Sequence, residues 1–168
     1  AVAVANGKIL AVGKRSDVMK LKGPTTQLID LKGQAMVPGF VDTHGHIVVG
    51  GLQALSANLL APPDGKVESI ADLQKTLRDW IAANGDKVQK FGLVIGFGWD
   101  ASTLSDQRAP TRQDLDEVSK DIPILLIHQS CHLGAMNTKA LELAGLTAES
   151  KDPQGGVIRR EADGKTPN

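Results

Sequence analysis

From Pro38 onward, short apolar runs alternate with stretches of helical periodicity, and this alternation confines the chain to folds that pack helices on a parallel sheet. Phe40 to His44 is the first candidate strand. Ser69 and Asp72 then have the spacing of a capping box, and Ile70, Leu73, Leu77, Trp80 and Ile81 share one helical face before Asn84-Gly85 stops the run. Phe91 to Trp99 is an apolar run carrying Gly92, Gly96 and Gly98, short enough for a buried parallel strand whose glycines permit close backbone approach. Pro110-Thr111 opens a helix to about Val118, Ile122 to His128 reads as a third buried strand, and Asn137 caps a helix that ends at Gly145. Three βα units in succession are the expectation for residues 37–145.

The residues before Pro38 have a different rhythm. Ala1 to Ala5 and Lys8 to Val12 flank Asn6-Gly7, a pair suited to the positive φ angles of a two-residue type I′ turn, so the chain opens on a hairpin. A short helical stretch over Ser16 to Leu21 follows, and Gln27 to Leu31 and Gln34 to Val37 read as strands around Lys32-Gly33. Residues 1–36 are therefore predicted to be a small β unit. Beyond Thr147, Pro153, Gly155, Gly156 and Gly164 surround the alternating Val157 to Glu161, which predicts an inserted arm or hairpin over residues 146–168.

Composition narrows the function. At 168 residues and 41% hydrophobic the chain can bury a core, and with only 3% aromatic residues that core is aliphatic, as in α/β proteins. Nineteen basic residues balance nineteen acidic ones with no local concentration, which argues against nucleic acid and anionic membrane and for a small-molecule ligand. No apolar run approaches the roughly 18 residues of a membrane span. The single Cys131 excludes an intrachain disulfide, reads as a small buried residue, and leaves the compartment open, with the cytoplasm favoured. Both ends have the look of cuts within a longer chain.

The chemistry concentrates in Asp42-Thr43-His44-Gly45-His46. Side chains at i and i+2 of an extended segment point the same way, so His44 and His46 can offer two imidazole nitrogens to one metal ion. Asp42 has the same parity and is placed to accept a hydrogen bond that orients a ligand ring. The pair lies at the carboxyl end of a predicted strand, where α/β barrels assemble their sites. Trp99 and Asp100 end another predicted strand and are candidates to contact substrate, although Asp100 equally suits a turn. His132 follows the third strand and is the remaining substrate-contact candidate; His128 is read as structural.

The segment Ile29 to His46, with Pro38-Gly39-Phe40-Val41-Asp42 directly ahead of Thr43-His44-Gly45-His46, resembles the opening of the amidohydrolase superfamily barrel. Gly98-Trp99-Asp100, Pro110 to Asp116, His132 with Asn137-Thr138-Lys139-Ala140-Leu141, and Asp152-Pro153-Gln154-Gly155-Gly156 resemble its amidohydrolase 3 branch. Ser130-Cys131-His132 departs from an Asp-Gly-His-like triplet common there, and Ala135 stands where Trp is frequent. The resemblance implies a small β-sandwich followed by a (β/α)8 barrel. Such a barrel takes about 250 residues, so this chain would supply roughly three of its eight strands. It also implies one or two divalent metal ions, with zinc favoured, held through His44 and His46. The further ligands and an aspartate general base would come from later strands.

The expected activity is metal-dependent hydrolysis of a C–N bond of amide or formamide type, other than a peptide bond, on a small-molecule substrate. This chain by itself is expected to be inactive and to self-associate through its open sheet edge. One alternative is a noncatalytic binding or regulatory module derived from the same fold. Another gathers His44, His46, His128 and His132 around a single zinc.

Overall fold

Asn6 and Gly7 adopt φ of 52° and 70°, the left-handed pair that lets two strands reverse with matching twist. In the computed structural model, which describes residues 1–168, they join β1 (Val2–Ala5) to β2 (Lys8–Val12) as an antiparallel hairpin. The helix α1 (Arg15–Val18) and a 3-10 turn over Met19–Leu21 follow, as the sequence predicts.

The predicted strands at 27–31, 34–37 and 40–44 are not formed. Their turn is formed: Lys32 and Gly33 take φ of 49° and 83°, the Asp30 carboxylate accepts from the Lys32 N–H, and the Gln34 N–H reaches Leu31 C=O at 2.9 Å. Turn chemistry is local, whereas a strand exists only through the neighbours that accept its hydrogen bonds and cover its side chains. Phe40, 95% exposed, has no such cover. Residues Ala1–Thr43 form one compact unit and His44–Asn168 another; the break falls after Thr43, whereas the sequence reading ends its first unit at residue 36.

The second unit begins with α2 (Ile47–Ala54), unforeseen because Val48, Val49, Gly50 and Gly51 are poor helix formers. The short strand β3 (Ala57–Asn58) then takes the place expected for Phe40 to His44, pairing parallel with the next strand. Helix α3 (Ile70–Ala83) starts where its cap predicts: the Ser69 side chain accepts from the Asp72 N–H at 3.1 Å. Leu73 and Leu77 are fully buried on its inner face. A further helix, α4 (Gly85–Phe91), uses residues that the sequence reading divides between a stop and a strand, and Gly92 at φ 65° ends it.

Strand β4 (Val94–Trp99) is buried almost throughout. Helix α5 (Arg112–Asp116) begins at a complete capping box, Thr111 and Asp114 each receiving the other's N–H. Strand β5 (Ile124–His128) pairs parallel with β4, and β6 (Gly134–Met136), a strand not foreseen, pairs antiparallel with β5 before α6 (Thr138–Leu143). The sheet order is β3-β4-β5-β6. Val94, Ile124 and Leu126 on the sheet pack with Leu73, Leu77 and Leu115 from the helices into one core.

Two devices hold this layer. A Cβ at Gly96 would lie 2.5 Å from Leu59 Cδ1 and 2.8 Å from Leu126 Cδ2, so any side chain there would have to displace these two buried leucines. Gly98, at φ 104°, coincides with a register shift between β4 and β5, a bulge that changes the course of the chain just before Trp99 and Asp100. The second device is Asn137, with no exposed surface. Its Oδ1 accepts from Ala140 N–H and Ile124 N–H, both at 2.9 Å, and its Nδ2 donates to Ser119 and Ile122 carbonyls at 2.8 and 2.9 Å. One side chain thereby caps α6 and closes the backbone at the start of β5.

Asn137→Leu keeps a similar size but strands buried backbone donors and acceptors, and should lower stability by about 3 kcal/mol or more. Urea denaturation of the purified chain followed by circular dichroism measures the loss.

Candidate functional site

His44 and His46 leave the extended stretch just ahead of α2, and the carbonyl of His46 accepts the first helical bond, from Gly50 N–H at 2.7 Å. Although the segment is not a strand, the two rings converge as the i, i+2 argument requires. Their Nε2 atoms are 3.1 Å apart and the ring centroids 5.0 Å apart, with the planes inclined by 55°. Two nitrogens each about 2.0–2.1 Å from one zinc ion, at angles from a right angle to tetrahedral, lie about 2.8–3.4 Å apart. The pair therefore fits a shared divalent ion, and the same spacing suits an N–H···N hydrogen bond between the rings. No third His, Cys, Asp or Glu joins them into a metal-holding group, so the four-histidine alternative is not formed.

A second set of polar side chains collects at the carboxyl ends of β4 and β5. Trp99 packs edge-on against His128, with centroids 4.8 Å apart and planes at 83°. The Asp100 carboxylate accepts from the backbone N–H and hydroxyl of Ser102, both at 2.8 Å, and from the Gln129 amide, while His128 Nε2 stands 3.7 Å away. Bonding to the Ser102 N–H first, then to its hydroxyl and to Gln129, with the nearby His128 ring contributing least, holds the Asp100 carboxyl below its ordinary value. The Ser130 N–H donates to His128 Nδ1 at 3.0 Å, which leaves the proton of the neutral ring on Nε2.

The sequence-predicted residues thus fall into two groups, His44 with His46, and Trp99 with Asp100. The second group includes His128, which the sequence reading assigned to structure, Gln129, which it passed over, and Ser130, which it noted as a departure from an Asp-Gly-His-like triplet. Their signal was position, directly after the third predicted strand. His132 lies exposed in the turn to β6, its N–H 3.4 Å from the Ser130 hydroxyl. Cys131 is exposed, not buried as expected, and takes φ 61° in the same turn. That left-handed conformation suits glycine, the residue of the Asp-Gly-His-like pattern at this place.

Beside the Trp99–His128 contact lies a cleft of about 550 Å³, to whose walls Arg108, Thr111 and Arg159 contribute. Arg108 is bonded through both terminal nitrogens to Asp114, at 2.6 and 2.9 Å. Burial raises the Asp114 carboxyl, but the Arg108 guanidinium and the Thr111 N–H and hydroxyl outweigh it and hold the group below its ordinary value. The segment contributing Arg159 is tied to α5 by ion pairing of Arg112 with Glu161, and the exposed Asp163 is pulled down to about 2 by the Thr166 hydroxyl and the Lys165 and Thr166 N–H groups.

A parallel α/β layer with its reactive side chains gathered at strand carboxyl ends is the plan of enzymes that build sites from βα loops. Residues 27–168 match the model of the amidohydrolase family, and the chain belongs to that family. Over 165 residues it is 34% identical to N-substituted formamide deformylase of Arthrobacter pascens, covering 98% of this chain and 29% of that protein. Crystal structures of uncharacterized metal-dependent hydrolases are similar: that from Pyrococcus furiosus has a TM-score of 0.53 at 28% identity, covering 97% of this chain and 31% of the other. The Pyrococcus horikoshii structure has a TM-score of 0.54 at 26% identity, with 92% and 28% covered. The chain thus spans about a third or less of the relatives named here. No helix is long and apolar enough to cross a membrane.

Because Asp100, Asp114 and Asp163 are all held below their ordinary values, they contribute stability that is present above the unfolded carboxylate value of about 3.9 and is lost as pH falls through the folded values. The urea midpoint should therefore drop between about pH 4 and pH 2, and Asp114→Asn should flatten part of that drop. Denaturation series at several pH values check the slope.

Proposed function

We propose that this chain is the N-terminal, metal-binding part of an amidohydrolase that cleaves a C–N bond of amide or formamide type, other than a peptide bond, in a small molecule. The observation that carries the reading is the 3.1 Å convergence of His44 and His46 within the segment that matches the amidohydrolase family. The deformylase activity in the name of the Arthrobacter relative supports the bond type. In this reading the α/β layer is the beginning of a (β/α)8 barrel, and residues 1–36 are part of a small β-sandwich.

His44 and His46 would hold the metal, with zinc favoured by paired imidazoles, through their Nε2 atoms. When bound, a divalent ion of this kind polarises the scissile carbonyl and lowers the pKa of the attacking water. The convergence of the rings positions their nitrogens ahead of binding, so little ordering is needed. Since catalytic zinc sites use about three protein ligands, at least one further ligand must be supplied by residues outside this pair. Asp42 is assigned to orienting a ligand imidazole. Trp99, Asp100 and His132 are assigned to the substrate side.

In the whole protein that carries this segment, replacing both His44 and His46 by alanine should remove most of the bound metal. Unchanged stoichiometry by plasma emission analysis would sink the ligand assignment. His132→Ala should instead lower kcat/KM by roughly tenfold or more with metal content intact. Unaltered kinetics would return His132 to a structural turn.

A further inference from the structure

At the carboxyl end of β5 the turn over residues 129–133 closes on the ring of His128. The Ser130 N–H donates to Nδ1 at 3.0 Å, and the Ser130 hydroxyl lies 2.8 Å from the same atom. The Cys131 N–H donates to the His128 carbonyl and the His128 N–H to the Leu133 carbonyl, both at 2.9 Å. The conformation so held is a costly one, because Cys131 takes φ 61°, where its Cβ crowds the backbone. On the other side of the ring, Nε2 stands 3.7 Å from the Asp100 carboxylate, and the buried Trp99 packs edge-on against the imidazole. The two sides make opposite demands: a main-chain donor on Nδ1 requires a neutral ring, and a carboxylate near Nε2 favours a charged one.

We propose that His128 is a pH-operated latch, its neutral ring holding the 129–133 turn closed and its protonated ring releasing it. Imidazole side chains change charge between about pH 5 and 8. Above that range Nδ1 is an acceptor and the Ser130 N–H has its partner. Protonation puts a hydrogen on Nδ1 that meets the Ser130 N–H donor to donor. The Ser130 oxygen can accept the new N–H, but the main-chain amide must then turn away, and Cys131 is free to leave its left-handed conformation. Asp100 stays a carboxylate through this range, since the Ser102 N–H and hydroxyl hold it below its ordinary value, so it favours the charged ring throughout the transition. Two cations, Arg108 and Arg159, line the cleft that His128 shares, the first neutralised by Asp114; the Cys131 thiol and the His132 imidazole are exposed in the turn itself. His132 rides on this turn. That acidification withdraws it from substrate rests on the hydrolase reading, but the latch itself is tested without turnover.

Amide hydrogen exchange read by mass spectrometry suits the whole protein that carries this segment, with labelling times scaled to the intrinsic rate at each pH. Peptides covering residues 129–134 should lose protection about tenfold between about pH 7.5 and 5.5, as expected when a bond that closes a turn is withdrawn. Peptides from β4 and α3 should not change. His128→Asn carries its side-chain oxygen at the position of Nδ1 and cannot be protonated, so its turn should stay protected at both pH values. Asp100→Asn removes the charge that favours the protonated ring and should move the transition to lower pH. Protection independent of pH in the wild-type protein, the same loss in His128→Asn, a loss shared by the whole α/β layer, or an unmoved transition in Asp100→Asn would overturn the latch. If His128→Asn does not fold, crystals of the wild-type protein at about pH 8 and 5.5 decide. Ser130 N should leave Nδ1 at the lower pH, and an unchanged 3.0 Å separation overturns the latch. In the His44→Ala, His46→Ala double variant the transition should persist, and its disappearance would place the titrating group at those imidazoles instead. Metal retained by that variant, alongside an intact transition, would overturn the metal assignment and leave the latch standing.

Discussion

The close passage of β4 between its neighbours is the constraint on which the second unit depends. Gly96 admits Leu59 and Leu126 to the space a side chain would fill, and Gly98 supplies the bulge that ends regular pairing with β5. Without that approach the parallel pairing of β3, β4 and β5 would lose its centre, and the leucines of α3 and α5 would have no sheet to cover. The same bulge immediately precedes Trp99 and Asp100, so the packing requirement of the core also sets where the chemistry-bearing residues begin.

Polar groups in this layer are satisfied in a graded way. Asn137 is wholly buried and spends all of its hydrogen-bonding capacity on backbone, which makes it structural despite its polarity. Asp114 is shared between a helix cap and Arg108, and Asp100 is held ionised by Ser102 and Gln129. Against that background two buried nitrogens have no hydrogen-bond partner, the indole Nε1 of Trp99 and Nε of Arg112.

Membership in the amidohydrolase family and the convergence of His44 with His46 point the same way by independent routes, one by sequence across residues 27–168 and one by a distance. Two imidazoles make only part of a metal site. In the reading proposed above, the chemistry of such a site is completed by residues brought from other strands, and a segment spanning about a third or less of its relatives would contribute ligands and substrate contacts to the larger protein.

The sequence alone determined what depends on neighbours along the chain. The hairpin at Asn6-Gly7, the caps at Ser69, Thr111 and Asn137, the buried strands ending at Trp99 and His128, and the shared reach of His44 and His46 all follow from local φ preference, side-chain capping or i, i+2 parity. Tertiary structure decided whatever needs a partner distant in sequence. Phe40 to His44 has the composition of a strand yet forms none, while Ala57–Asn58, too short to announce itself, becomes the strand beside β4. The antiparallel β6, the exposure and left-handed turn of Cys131, and the seat of His128 against Trp99 were likewise hidden. Strand pairing and side-chain juxtaposition are set by which backbones meet in space, and apolar content and propensity carry no record of that meeting.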